Sequence, residues 1–362
     1  MKFLHISDLH IGKRLREQPL IEEQRQMLAE IACIVRKESV DAVLIAGDVY
    51  DRSIPPLEAV TEFDDFLTEL NEAEVEVFII AGNHDSAERL DFGARILSRR
   101  KLHIAGGELK KVTLEDNYGN INIWLMPYMR TADAEQALES ADVNTAERNI
   151  ILSHQFIISE GADPEPGGSE IPVVGGVDAL AASLYERFDY VALGHIHRSQ
   201  KIVRETMRYS GSPYCYSFDE CGQEKSAPII ALREKTDIEI SFAGLTPERG
   251  LYRIECTLKD LPARSEPRDS YIELTLTDEE IIVDVMAKVR EVYPNTLKLI
   301  IKNRYAGTGV THTLKSDDIS IKSPFELFSI FFQEMNNGVE LSDAQRAIVT
   351  SAIGGDVENE TN

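Results

Sequence analysis

Short, nearly continuous apolar runs alternate with stretches whose apolar positions recur every three or four residues, a pattern of buried strands and amphipathic helices. Lys2–Ile6 reads as the first strand. Residues 41–46, 75–81, 121–126, 150–153, Tyr190–Leu193 and 229–232 continue the series, with helices over 20–37 and 57–71. This alternation predicts a layered α/β domain. Residues 160–176, with their Pro and Gly, read as a long surface loop. Around 244–250 the pattern changes. Strands at 252–258, Tyr271–Leu276 and Thr296–Ile301, with a helix over 279–292, predict a small α+β unit. After a polar stretch, Ser323-Pro324 opens an apolar helix to 335, Asn336-Asn337-Gly338 forms a turn, and 341–353 supplies a second helix. The expected organisation is an α/β domain at 1–245, an appended unit at 250–305, a linker at 306–322, a helical pair at 323–354 and a disordered tail at 355–362.

Hydrophobic residues at 43% and charged residues at 28% describe an ordinary globular balance, and 362 residues suffice for more than one core. Charge narrows the class further. The 62 Asp and Glu outnumber 38 Lys and Arg, and the formal net charge of −24 repels polyanions at long range. A free-standing electrostatic binder of DNA or membranes is thereby disfavoured. If nucleic acid is the substrate, affinity must come from local basic residues, bound cations or a second subunit. No uncharged apolar run approaches the ~18 residues of a spanning helix, and the N-terminal segment lacks a signal peptide's apolar core, so a cytoplasmic location without membrane contact is expected. Cys33, Cys215, Cys221 and Cys256 form no CxxC pair and read as reduced, structural thiols.

Candidate chemistry lies in five motifs at or just after strand ends: Asp8-Leu9-His10, Gly47-Asp48-Val49-Tyr50-Asp51-Arg52, Gly82-Asn83-His84-Asp85, Ser153-His154 and Gly194-His195-Ile196-His197. In open α/β sheets the strands' carboxyl ends form one rim, where residues distant in sequence converge. Positions i and i+2 of an extended segment face one side, which would aim Asp8 with His10, and His195 with His197, into one pocket. Carboxylates, an amide and imidazoles form an oxygen and nitrogen set suited to Mn²⁺, Mg²⁺, Fe²⁺ or Zn²⁺ in an open catalytic site. Asp8, His10, Asp48, Asn83, His154, His195 and His197 exceed what one ion needs. Two divalent ions are implied, with Asp48 as the natural bridge because its two oxygens can hold metals about 4 Å apart.

These residues resemble the calcineurin-like metallophosphoesterase superfamily, whose DxH, GDxxDR, GNHD, single-His and GHxH pattern is complete here. MKFLHISDLHIGK, GDVYDRSIPP, GNHDS with Arg89-Leu90, and DYVALGHIHRSQ with Tyr209-Ser210-Gly211-Ser212-Pro213 are further similar to the SbcD family of bacterial nuclease subunits. The remainder resembles that family in layout and in the 323–335 helix. The resemblance implies an α/β fold, a layered β-sandwich flanked by helices, with a small α+β capping domain for DNA recognition and a C-terminal helical pair. It implies that Asp8, His10, Asp48 and His197 hold one ion, and Asp48, Asn83, His154 and His195 the second, preferably Mn²⁺ with Mg²⁺ as a substitute. His84 would then act beside the scissile phosphate, with Asp51 orienting its imidazole and Arg52 clamping the phosphate. The implied activity is that of a two-metal phosphodiesterase, a 3′-to-5′ exonuclease and single-strand endonuclease acting on DNA ends and hairpins in recombination and repair. The implied partners are an SbcC-like SMC-type ATPase, docked through the C-terminal helices, and a second copy of the chain within a heterotetramer. The chain has no GxxxxGK[ST], which fits ATP use by the partner.

Blander readings apply elsewhere. His5 reads as a packed, hydrogen-bonded core residue, and His103 and His312 as strand or loop residues without chemistry. Asp85 either accepts from nearby backbone N–H groups or assists His84. Arg95, Arg99, Arg100 and Lys101 suit a solvated helix end as well as a DNA phosphate contact. Phe325, Leu327, Phe328, Ile330, Phe331, Phe332 and Met335 are too apolar around their helix to face solvent, so they must pack on the chain itself or on a partner. Two competing functions remain, a small-substrate phosphodiesterase on the same metal centre and a non-catalytic adaptor of an SMC-like ATPase.

Overall fold

The computed structural model describes residues 1–159, 164–165, 179–280, 282–302, 324–336 and 339–354. Most of the loop expected at 160–176, the linker at 306–322, His312, the Asn337-Gly338 step and the tail at 355–362 lie outside the described residues. The chain divides into two compact units, Met1–Tyr252 and Arg253–Asn362.

Two six-stranded mixed sheets build the first unit. In one, Lys2–Ile6, Ala42–Ala46, Glu76–Ile80 and Leu102–Ala105 run parallel side by side, and Lys225–Leu232 followed by Ile238–Leu245 extend the Lys2–Ile6 edge antiparallel. In the other, Gly119–Met126, Arg148–Ser153, Tyr190–Leu193 and Arg204–Tyr209 are parallel, with antiparallel edges Lys110–Asp116 and Gln200–Ile202. Parallel strands need cover on both faces, and Ala42–Ala46 and Arg148–Ser153 are buried at every position. Phe3, Leu44, Phe78 and Ile80 of the first sheet share one core with Ile121, Ile123, Leu125, Ile150 and Leu152 of the second. Helices supply the outer cover. Ile21–Lys37 buries Met27, Leu28, Ile31 and Val35, and Leu57–Glu72 buries Phe63, Phe66 and Leu70. Thr131–Ser140 sets Ala134 and Leu138 in a cluster with Trp124, Ile151 and Tyr185 of the second sheet's side. The architecture is a layered α/β sandwich flanked by helices.

His5 sits in the shared core, fully buried, with Nδ1 3.1 Å from the Tyr190 hydroxyl. Burial, reinforced by the Arg208 charge, lowers its pKa from 6.5 to about 3. Between those values the unfolded chain binds a proton that the folded chain refuses, so stability falls as pH drops through the window. The expected loss is on the order of 4 kcal/mol. His5→Gln keeps a polar partner for Tyr190 and does not titrate, so its urea midpoint should depend less steeply on pH from 6.5 to 3. An unchanged slope would contradict this assignment.

A three-stranded sheet follows, ordered Leu251–Cys256, Tyr271–Leu276, Thr296–Ile301, with the helix Val285–Val292; all but the first two residues of this sheet belong to the second unit. That helix is shorter than the 279–292 expected. Asp284, at φ 54, precedes it, and β-branched Ile282 and Val283 disfavour its extension backwards. Two more helices follow, Pro324–Met335 and Asp343–Gly354. On the first, the Phe328 ring lies 6.4 Å from both Phe331 and Phe332, and Phe328 and Phe331 are exposed. Among the described residues no helix is long and apolar enough to cross a membrane.

Candidate metal centre

Each motif follows the carboxyl end of a strand: Ile6 leads to Asp8 and His10, Ala46 to Asp48, Ile80 to Asn83 and His84, Ser153 to His154, and Leu193 to His195 and His197. The loops hold one another. Asp8 N donates to Gly47 O, His10 N to Asp48 O and Gly194 N to Ser153 O, each at 3.0 Å. The extended geometry expected at i and i+2 is absent. Asp8, His10 and Asp48 have φ of 54, 43 and 50, and His195 has 101, so turns through the left-handed region bring these side chains together. Gly47, at φ 90, lies against the His154 ring, and Gly82 against the Asp48 carboxylate; a Cβ at either would collide.

The seven expected ligands converge in one place. His10 Nε2 is 3.1 Å from His197 Nε2 and 3.6 Å from Asp48 Oδ2. His154 Nε2 is 3.3 Å from Asp48 Oδ2, 4.0 Å from Asp8 Oδ1 and 3.1 Å from Asn83 Oδ1. Asn83 Oδ1 is also 3.1 Å from His195 Nδ1. Asp8 accepts the His195 N–H at 3.0 Å, and the Ser7 hydroxyl beside it is 2.7 Å from Ser210 Oγ. Asp8, His10, Asp48, His154 and His197 are buried, whereas Asn83 is exposed and His195 half-buried. The cluster therefore opens to solvent on its Asn83 and His195 side.

Its electrostatics are those of a site short of positive charge. Burial, with Asp48 nearby, raises the Asp8 pKa against the pull of His154 and His197. Burial alone would raise Asp48 too, but His154, His10 and His84 hold it well below the usual carboxylate range. Burial disfavours a charge on His154, yet Asp48 raises its pKa to about 9, while burial drives His10 well below 6.5. Divalent cations fit this donor set. Ligand atoms of Asp8, His10 and His197, of His10, Asp48 and His84, and of Asp8, Asp48 and His154 lie within 4.8 Å of one another in each group. His10 Nδ1 is buried without a hydrogen-bond partner, and two imidazole nitrogens face each other beside two buried carboxylates.

The other candidates border this cluster. His84 N donates to Asp48 Oδ1 at 2.9 Å, and His84 Nδ1 is 2.9 Å from the main-chain oxygen of Asp51. The Asp51 carboxylate is engaged elsewhere, 2.7 Å from Lys13 Nζ, so its backbone orients the imidazole. Arg52 is 73% exposed and reaches Asp51 Oδ2 at 3.6 Å. Asp85 accepts from Val49, Tyr50 and Gly82 N–H at 3.1, 2.9 and 2.9 Å, tying the Asp48 loop to the Asn83 loop. Burial and Asp48 raise its pKa to about 6 despite these bonds. Arg99 and Arg100 are exposed on the Ser98–Arg100 turn. Sequence reasoning missed Glu220 and Lys13. Glu220 is fully buried, with Oε1 3.2 Å from His197 Nδ1; no motif spacing marks it.

Residues 1–199 match the calcineurin-like phosphoesterase family. The chain belongs to that family. Residues 247–336 of this calcineurin-like phosphoesterase also match the family described as the type 5 capsule protein repressor C-terminal domain. A Staphylococcus epidermidis protein, named as the D subunit of the nuclease SbcCD, is 29% identical over 322 residues, which is 83% of this chain and 85% of the relative. Both matches and this relative support an SbcD-like place within the superfamily. Among solved structures, a dimetal phosphatase from Danio rerio is 14% identical with a TM-score of 0.42, covering 68% of this chain and 97% of its own. A Thermus thermophilus protein is 12% identical with a TM-score of 0.46, covering 68% and 99%.

Proposed function

We propose that this phosphoesterase is the nuclease subunit of an SbcCD-like complex, a two-metal DNA phosphodiesterase with 3′-to-5′ exonuclease and single-strand endonuclease activity. Its setting would be cytoplasmic processing of ends and hairpins in DNA recombination, repair and replication. The observation that carries this reading is the convergence of Asp8, His10, Asp48 and Asn83, from strand ends of the first sheet, with His154, His195 and His197, from strand ends of the second. The named relative supports the substrate class. In this reading Asp8, His10, Asp48 and His197 would hold one cation, and Asp48, Asn83, His154 and His195 another, with Mn²⁺ preferred over Mg²⁺. Bound there, such cations supply Lewis-acid stabilisation of phosphoryl oxygens and activation of water at neutral pH.

The chain's own groups supply the rest. His84 Nδ1–H donates to the Asp51 carbonyl, so proton exchange with the leaving oxygen falls to Nε2. Lys13 and exposed Arg52 offer positive charge to the phosphate backbone, with Lys13 steadied by Asp51. These local charges and a second subunit would offset the net −24. Residues 1–245 would form the nuclease domain, 250–305 the DNA-recognition cap and 323–354 the docking segment.

Docking of the C-terminal helices on an SbcC-like SMC-type ATPase is supported by Phe328 and Phe331, which are exposed on the Pro324–Met335 helix. Phe331→Glu should weaken capture of that ATPase at least ~10-fold while leaving Mn²⁺-dependent hydrolysis by the isolated subunit intact. Equal capture would move the docking site elsewhere. Homodimerisation is supported by a groove lined by Val60, Phe63, Leu97 and the exposed Phe92.

A direct test offers the purified chain and Mn²⁺ both end-labelled single-stranded DNA and a small chromogenic phosphodiester. Cleavage of the DNA is expected. Hydrolysis of the small diester alone would favour the small-substrate phosphodiesterase, and hydrolysis of neither would favour the adaptor.

A further inference from the structure

A buried ion pair lies behind the metal-site histidines and belongs to none of the five motifs. Glu220, on the Phe218–Glu220 turn, is fully buried, and the Lys225 side chain is 5% exposed. Glu220 Oε2 is 2.8 Å from Lys225 Nζ. Its other oxygen, Oε1, is 3.2 Å from His197 Nδ1. Lys225 Nζ also donates to the His197 carbonyl at 3.1 Å and to Ser212 Oγ at 2.9 Å. The pair thus grips His197 twice, at its ring and at its main chain. Burying two charges is costly, and apolar residues of similar volume usually fill such a space at least as well. A positional role accounts for the pair.

We infer that Glu220, held by Lys225, is the positioning residue for His197: it fixes the imidazole with its proton on Nδ1 and presents the bare Nε2 to the metal. A carboxylate beside an ammonium is ionised and can only accept, so the nitrogen facing it must carry the hydrogen. The remaining nitrogen of the neutral ring is then Nε2, which already points at His10 Nε2 from 3.1 Å. Histidines that bind metals commonly donate their second ring N–H to a carboxylate, and loss of that partner weakens metal affinity by ~10–100-fold. The inference rests on the proposed metal sites only in taking Nε2 of His197 as a ligand atom.

The test uses the full chain and two readouts. Long-range proton–nitrogen NMR on the metal-free protein, with His197 assigned by substitution, should show the Nδ1–H tautomer. The paired replacement Glu220→Leu with Lys225→Met removes acceptor and counter-charge together. It should mix the His197 tautomers and weaken Mn²⁺ binding, measured calorimetrically, by ~10–100-fold at one of two sites. A wild-type Nε2–H tautomer overturns the inference, as does a folded double variant with unchanged tautomer and affinity. Should the double variant fail to fold, the wild-type tautomer still decides. If the wild type takes up no Mn²⁺, the metal assignment fails while the tautomer continues to report on Glu220.

Discussion

Asp48→Asn is expected to lower hydrolysis by at least ~10³-fold and to remove cation binding at both positions together. Asp48 stands between the two ligand groups, with Oδ2 3.6 Å from His10 Nε2 and 3.3 Å from His154 Nε2. The amide oxygen of Asn can still accept the His84 N–H, now 2.9 Å from Oδ1, so the loop keeps its anchor and only the charge is lost. Thermal unfolding separates folding from binding. Mn²⁺ at about 100 times its Kd should stabilise the wild-type protein by ~2.7 kcal/mol for each site filled, and the Asn variant should show no such rise. Retained activity, or a retained Mn²⁺-dependent rise, would contradict a shared Asp48.

His84→Gln should cost ~10²–10⁴-fold in rate while preserving the Mn²⁺-dependent stabilisation. The Gln amide can still reach the Asp51 carbonyl that His84 Nδ1 now meets at 2.9 Å, so the loop is not released. What disappears is the ring nitrogen proposed to give a proton to the leaving oxygen. A phosphodiester with a nitrophenolate leaving group needs no such proton and should recover much of the loss. An unchanged rate on DNA, or an equal loss on both substrates, would remove His84 from that role.

How much of this was legible in the chain follows from where the physics leaves a mark. Parallel strands buried on both faces, such as Ala42–Ala46 and Tyr190–Leu193, read as unbroken apolar runs. The edge strands Lys110–Asp116 and Ile238–Leu245 do not, because exposure alternates along them and charged residues interrupt the pattern. Thr131–Ser140 escapes notice because its buried positions are only Ala134 and Leu138. At the site, Gly-Asp, Gly-Asn-His and Gly-His-Ile-His stand out as chemistry-bearing types at strand ends. The backbone that unites them is not extended, and the i and i+2 argument reaches the pocket by a route that Asp8 and His195 do not take. Backbone contributions are silent in sequence, so the Asp51 carbonyl, and not its carboxylate, is what meets His84. Glu220 is silent for another reason: only the fold returns residue 220 to the back of His197.

The central claim is that these seven side chains enclose two divalent cations. Crystals grown with Mn²⁺, with diffraction recorded at the manganese absorption edge, test it most directly. The account predicts two anomalous peaks, one among Asp8, His10, Asp48 and His197 and one among Asp48, Asn83, His154 and His195. No peak within reach of Asp48, or manganese bound only elsewhere on the molecule, would contradict it.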